Sequence, residues 1–185
     1  MSVGTRIRSA SATPSRLVRD GSGGAAADVA LLKFCYIDIG ASTDVHALFG
    51  IYRDTLAAVA AAHPHLAVVP CTAPLRHTES GLGVWVRERL GRRNRQKAAN
   101  RARQAFNDLV RRAYAGTPIF DIAAGEATRP GGARDSFVLD GQRCDNLAAE
   151  YTSDGGHLND TGARALAGAF VRAVADVLGR RPTGR

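Results

Sequence analysis

The sequence predicts an α/β fold: a three-layer α/β/α sandwich with a parallel sheet, flavodoxin-like in its alternation of elements. Three observations carry this expectation. Short, nearly continuous apolar runs punctuate the chain and read as strands buried on both faces. Between them lie amphipathic stretches with helical periodicity. Their order is strand, helix, strand, helix, strand, loop, helix, the alternation that goes with a parallel sheet covered by helices. A chain of 185 residues is long enough for one such core.

The first 27 residues are rich in Ser, Ala, Gly and Arg, and Asp20-Gly21-Ser22-Gly23-Gly24 reads as a flexible connection. The expected organisation is therefore a flexible segment over 1–27, an α/β domain over 28–180 and a disordered tail over 181–185. Asp28 to Ile39 (DVALLKFCYIDI) reads as a central strand. Thr43 or Asp44 can cap a helix running to about Ala62, with Val45, Leu48, Phe49, Tyr52, Leu56 and Val59 on one face. His63-Pro64 stops it. Leu66 to Pro70 is a second short strand. After a loop with Pro74, Gly81 and Gly83, a helix spans about Asn94 to Ala115, with Ala99, Ala102, Phe106, Leu109, Val110 and Ala113 inward. Pro118 to Ile122 (PIFDI) reads as a third strand. The Gly-rich stretch 123–153 reads as one long loop, and loops of that length tend to be functional. Asn159 or Asp160 then caps a helix to about Leu178, with Leu166, Phe170, Val174 and Val177 on its core face.

Composition narrows the function classes. No apolar run approaches the roughly 20 residues of a membrane span. Arg6 and Arg8 are not followed by an apolar h-region, so no signal peptide is read, and a soluble, cytoplasmic protein is expected from the chain as it stands. The three cysteines, Cys35, Cys71 and Cys144, are odd in number and widely spaced, which fits neither a disulfide framework nor a zinc site. Cys35 and Cys71 sit in apolar runs and read as small buried hydrophobes. The formal charge of +8 is almost all arginine, the only lysines being Lys33 and Lys97.

The stretch with the most chemistry in it is Tyr151-Thr152-Ser153-Asp154-Gly155-Gly156-His157-Leu158-Asn159-Asp160-Thr161-Gly162. Asp154 and His157, at i and i+3, are neighbours on a turn. The carboxylate can accept the Nδ1 proton of the imidazole and leave Nε2 as an acceptor, which is how a general base is oriented. Gly155 and Gly156 free the backbone between them. On spacing alone a second reading stays open: Asp154 and Asn159 only cap the helix, and His157 is a surface residue.

Asp154, Gly155, His157, Leu158, Asn159 and Gly162 together resemble the last motif of the SGNH, or GDSL-type, hydrolases. The runs 28–39 and 66–72, and a helix carrying Asn100 and Asn107 before PIFDI, are similar to that family's arrangement over roughly residues 28–178. The resemblance implies that His157 is the base and Asp154 the acid that orients it. It further implies a serine attacking an ester carbonyl, with backbone N–H groups, a glycine and an asparagine stabilising the oxyanion.

The chain departs from that pattern. No Gly-Asp-Ser occurs; Asp20-Gly21-Ser22 has another order. Gly-x-Asn-Asp is absent as well, and Cys35-Tyr36-Ile37-Asp38 puts Ile37 where the oxyanion asparagine belongs. Ser2-Val3-Gly4 resembles the tail of a His-x-Ser-[Val/Ile]-Gly string that replaces Gly-Asp-Ser in a subset of the family. That makes Ser2 the candidate nucleophile and Met1 an internal residue, with the first strand upstream. The interval from Gly4 to Asp28 is also short for a helix-strand-helix insertion, so the second strand is expected to be absent or degraded.

The expected activity is hydrolysis of an acyl ester, whether lipid, acylated sugar or small ester, through a serine acyl-enzyme and without metal or organic cofactor. Asp38, at the carboxyl edge of the first strand, is a candidate substrate contact or simply a turn former, and Lys33, an expected buried lysine, is a candidate substrate contact or a structural pair. A competing expectation is an inactive hydrolase fold binding an anionic partner through Arg87, Arg89, Arg92, Arg93, Arg95, Lys97, Arg101 and Arg103. With only Trp85 and Phe106 near for stacking, nucleic acid is disfavoured; a solvated helix face, or a rim attracting an anionic substrate, fits better. His63-Pro64-His65 lacks a third ligand for a metal, and His46 and His77 have no partner in sequence.

Overall fold

The computed structural model describes residues 27–79 and 94–180. The expectations that fall on 1–26 and 181–185, Ser2 among them, and on the arginines from Arg87 to Arg93, lie outside the described residues. The elements are β1 (Val29–Leu32), α1 (Val45–Ala62), β2 (Ala67–Pro70), α2 (Arg95–Ala113), α3 (Ile122–Ala127), β3 (Ser136–Leu139), β4 (Gln142–Asp145), a 3-10 turn at Ala149–Tyr151 and α4 (Asp160–Gly179).

The fold is α/β with a parallel sheet. β1 and β2 pair in parallel, Val29 opposite Ala67 and Leu32 opposite Pro70. A parallel bridge from Cys71 to Phe120 extends the sheet, with Phe120 N–H donating to Pro70 O at 2.9 Å and Thr72 N–H to Phe120 O at 3.2 Å. Side chains alternate between the two faces, as strand geometry requires. Leu32 and Val68 pack on one side with Tyr52 and Leu56 of α1 and Phe106 and Val110 of α2. Cys71 packs on the other with Ile122 of α3 and Leu166 of α4. Tyr52 binds the sheet to α1: its hydroxyl is within hydrogen-bonding distance of Leu32 O, at 3.1 Å, and of Cys71 O, at 3.0 Å, and accepts from Cys71 N–H at 2.7 Å. Burial pushes that phenol well above its ordinary range.

Helix starts follow their caps. Asp44 accepts from His46 and Ala47 N–H, Asn94 from Gln96 and Lys97 N–H, and Asn159 from Gly162 N–H. Three expectations change. The apolar run 28–39 is a strand only to Leu32, because Asp38 folds back: Cys35 N–H donates to its Oδ2 at 2.7 Å, and its own N–H donates to Cys35 O at 3.1 Å. The expected third strand, 118–122, shrinks to the bridge at Phe120. Asp121 caps α3 through Ala124 N–H, which turns the chain helical at Ile122.

The expected loop 123–153 is in fact mostly structured. It holds α3, the 3-10 turn, and an antiparallel hairpin in which Phe137 faces Cys144. Its two-residue turn, Asp140 at φ 50° and Gly141 at φ 76°, has the positive angles that match hairpin twist. On α4, Leu166 is buried, whereas Phe170 is 39% exposed and packs edge to face on Phe120, with ring centroids 5.4 Å apart. None of the helices among the described residues is long and apolar enough to cross a membrane.

Candidate active site

The loop before α4 is built to hold one carboxylate against one imidazole. Its ends are tied by a bridge between Thr152 and Leu158 and by Asn159 N–H donating to Tyr151 O at 2.8 Å. Between them Gly155 sits at φ 77°, a left-handed angle that other residues rarely adopt. Asp154 Oδ1 accepts from Gly156 N–H and from His157 N–H, each at 2.8 Å. Its Oδ2 takes the imidazole Nδ1 at 2.6 Å. The His157 ring, then the two N–H groups, hold this carboxyl well below the usual carboxylate range, so it is ionised. An ionised Oδ2 fixes the proton on Nδ1 and leaves Nε2 as an acceptor. The His157 side chain is 73% exposed. Its Nε2 faces the Tyr36 hydroxyl at 3.3 Å, with the rings edge to face at 5.5 Å.

The loop after β2 supports the Asp154–His157 loop from behind. Asn107 accepts from Ala73 N–H at 2.7 Å and donates to Ala73 O at 3.0 Å. Two turns earlier on α2, Asn100 does the same for Arg76, at 3.0 and 2.6 Å. Arg76 Nε–H and His77 N–H then both donate to Gly155 O, at 3.3 and 2.9 Å. Arg103 completes the frame: Nη1 donates to Asn100 Oδ1 at 2.7 Å, and Nε and Nη2 donate to Tyr36 O at 3.0 and 2.5 Å. Burial pushes the Arg103 pKa down to about 10.

A cavity of about 520 Å³ opens beside His157. Phe120, Ile122, Leu158 and Leu166 make apolar wall; Lys33, Tyr36 and Glu126 are polar groups on the same lining. Glu126 is 2% exposed, and its Oε2 accepts from Leu75 N–H at 2.6 Å. Burial pushes its carboxyl up to about 8.

Thus Asp154 and His157 are brought together as the spacing predicts. Lys33 lies on the cavity wall, yet one residue past β1 it is exposed, not buried. Asp38 is not on that wall, and its carboxylate closes the 35–38 turn. Ile37 is 78% exposed. Cys71 is buried as expected, with its thiol pushed up to about 12 by burial, whereas Cys35 is half-buried on the cavity wall.

The described part of the arginine-rich helix is not a solvated face throughout. Arg103 and Lys97 are buried, Arg101 pairs with Asp140 at 2.7 Å, and Arg111 pairs with Asp108 and Asp121 at 3.0 and 2.8 Å. Neither Tyr36 nor Glu126 carries a local signal in sequence; an acid inside the short apolar segment IAAGEA was the one hint. Among the described residues no three His, Cys, Asp or Glu side chains converge as a metal-holding set.

No protein-family model matches this chain, and no curated protein matches it. A solved structure does. It comes from Streptococcus pneumoniae, where it is provisionally named a platelet activating factor, and it aligns with a TM-score of 0.53 at 20% identity. The match covers 80% of this chain and 60% of that one, so this chain spans about three fifths of its neighbour's length. At that identity the likeness is one of fold. It agrees with the α/β architecture described above.

Proposed function

We propose that this chain is an SGNH-like serine hydrolase that cleaves an acyl ester through a Ser-His-Asp mechanism. The observation that carries the proposal is the Asp154–His157 pair, with both carboxylate oxygens hydrogen-bonded and His157 on the wall of a largely apolar cavity. The α/β fold shared with the pneumococcal structure is consistent with it.

In this reading Ser2 Oγ attacks the ester carbonyl as His157 Nε2 takes its proton, and Asp154 stabilises the imidazolium. The imidazolium passes that proton to the leaving alkoxide oxygen. Water then enters, gives a proton to Nε2 and attacks the acyl-enzyme carbonyl. The carboxylic acid leaves as Ser2 regains its proton. The cavity beside His157 receives the acyl portion of a small-molecule, lipid or glycan ester, with Lys33 at its edge. Of the arginines invoked for the alternative of an inactive fold binding an anionic partner, Arg101 and Arg103 are bonded within the protein, which weakens that reading, whereas Arg95 is exposed.

The test is hydrolysis of a panel of p-nitrophenyl esters by the full chain. Turnover that disappears in His157→Ala supports the proposal. A folded protein that cleaves none of them, or a His157→Ala variant as fast as the parent, would sink it.

A further inference from the structure

Acyl transfer places negative charge on the carbonyl oxygen, and a site that accelerates it needs a donor aimed at that oxygen. The sequence supplies none at the expected position: Ile37 is apolar and 78% exposed. The structure places a different hydroxyl beside the base. Tyr36 OH lies 3.3 Å from His157 Nε2, the atom that gives and takes every proton in the reaction. Any oxygen exchanging a proton with Nε2 must come within about 3 Å of it. The phenol and any such oxygen therefore contact the same nitrogen and are neighbours at the site.

The Tyr36 ring is held on several sides. Its backbone carbonyl accepts from Arg103 Nε and Nη2. The Arg76 guanidinium stands over the ring, 5.1 Å from its centroid. Gly156 lies against its hydroxyl end; a Cβ there would stand 3.1 Å from both Cζ and the hydroxyl oxygen. A fixed ring with one rotatable O–H is a preorganised donor.

We propose that Tyr36 is a catalytic residue that donates a hydrogen bond to the ester carbonyl oxygen as it becomes an oxyanion. When substrate enters, the O–H turns about the Cζ–O bond from Nε2 to the carbonyl oxygen, which frees Nε2 for the nucleophile. The phenol keeps its proton throughout. The oxyanion it holds collapses to the carbonyl when the leaving oxygen takes the proton from His157. The inference rests on the ester-hydrolase reading above and adds to it the donor that the sequence lacks.

Tyr36→Phe in the full chain tests it, because Phe keeps the ring and removes only the hydroxyl. With a p-nitrophenyl ester that the parent cleaves, kcat should fall by about 10²-fold, the usual effect of losing one oxyanion donor, with KM little changed. Affinity for an alkyl trifluoromethyl ketone, whose adduct with the nucleophile carries an oxyanion, should fall in parallel. A ring that only packs would not produce that parallel loss. A Tyr36→Phe variant with kcat within about twofold of the parent overturns the proposal, as does acylation found on Tyr36 itself. A parent that cleaves no ester sinks the hydrolase reading and this inference together, an outcome distinct from an active parent with an equally active variant.

Discussion

Asp154 has a separate job for each oxygen: Oδ1 takes two backbone N–H groups and so shapes the loop, while Oδ2 takes the imidazole. Asp154→Asn should keep much of the loop but let the amide misorient the ring. Ester hydrolysis is expected to fall by about 10⁴-fold, the scale seen when a triad acid becomes an amide. The unfolding midpoint should move little, since the carboxylate is exposed; a variant with unimpaired kcat would contradict the assignment. Glu126 is the other residue with a measurable signature. Its folded pKa, about 8, exceeds its ordinary value of 4.5, so between those limits the folded protein holds a proton that the unfolded chain has released. Its contribution to stability is complete below about pH 4.5 and is lost as the pH rises to about 8. Urea unfolding across that range should show stability falling with pH, and Glu126→Gln should flatten the slope, its amide oxygen still accepting from Leu75 N–H. An unchanged slope in the variant would remove Glu126 as the cause. At this scale the sequence is legible where chemistry is local. Asp154 and His157 are three residues apart and declare themselves, whereas Tyr36 meets His157 across 121 residues and Glu126 meets Leu75 across 51. No motif spacing encodes either contact.

Elements place these residues through close backbone approaches. Gly162, in the first turn of α4, packs so tightly that a Cβ would stand 2.7 Å from Tyr151 O and 2.9 Å from Leu158 Cδ2. Gly162→Ala must push α4 away from the site loop. A loss of about 1–3 kcal/mol is expected, read by chemical denaturation; a neutral effect would mean that the approach is looser than described. Asn107→Ala leaves the buried N–H and C=O of Ala73 without their partner, so about 1–3 kcal/mol is again expected. Capped helices were readable from the sequence because their caps are local: Asp44, Asn94 and Asn159 each accept from N–H groups within three residues. The hairpin was readable too, since Asp140-Gly141 between SFVL and QRCD is a strong turn signal, but the glycine-rich composition of 123–153 masked it. The early end of β1 was harder to read. Its apolar run continues to Ile39, and only the Asp38 carboxylate folding back on Cys35 N–H ends it.

At the scale of the whole molecule, the alternation of elements sufficed for the α/β class and the parallel sheet. Its extent was overestimated, because strand length depends on pairing partners that periodicity does not report. Among the described residues the parallel sheet is one pair of strands with a single further bridge at Phe120. The charge of +8 is distributed unevenly in its consequences. Arg76, Arg103 and Arg111 act as internal struts, so their replacement should cost stability, while exposed Arg112 should be replaceable without effect on the unfolding midpoint. The central claim is that His157, oriented by Asp154, activates a serine in this chain. Reaction of the full chain with a fluorophosphonate, followed by peptide mapping of the adduct, tests it most directly. The account predicts one adduct, on Ser2, that is absent from His157→Ala. No adduct on the folded chain, or an adduct indifferent to His157, would contradict it.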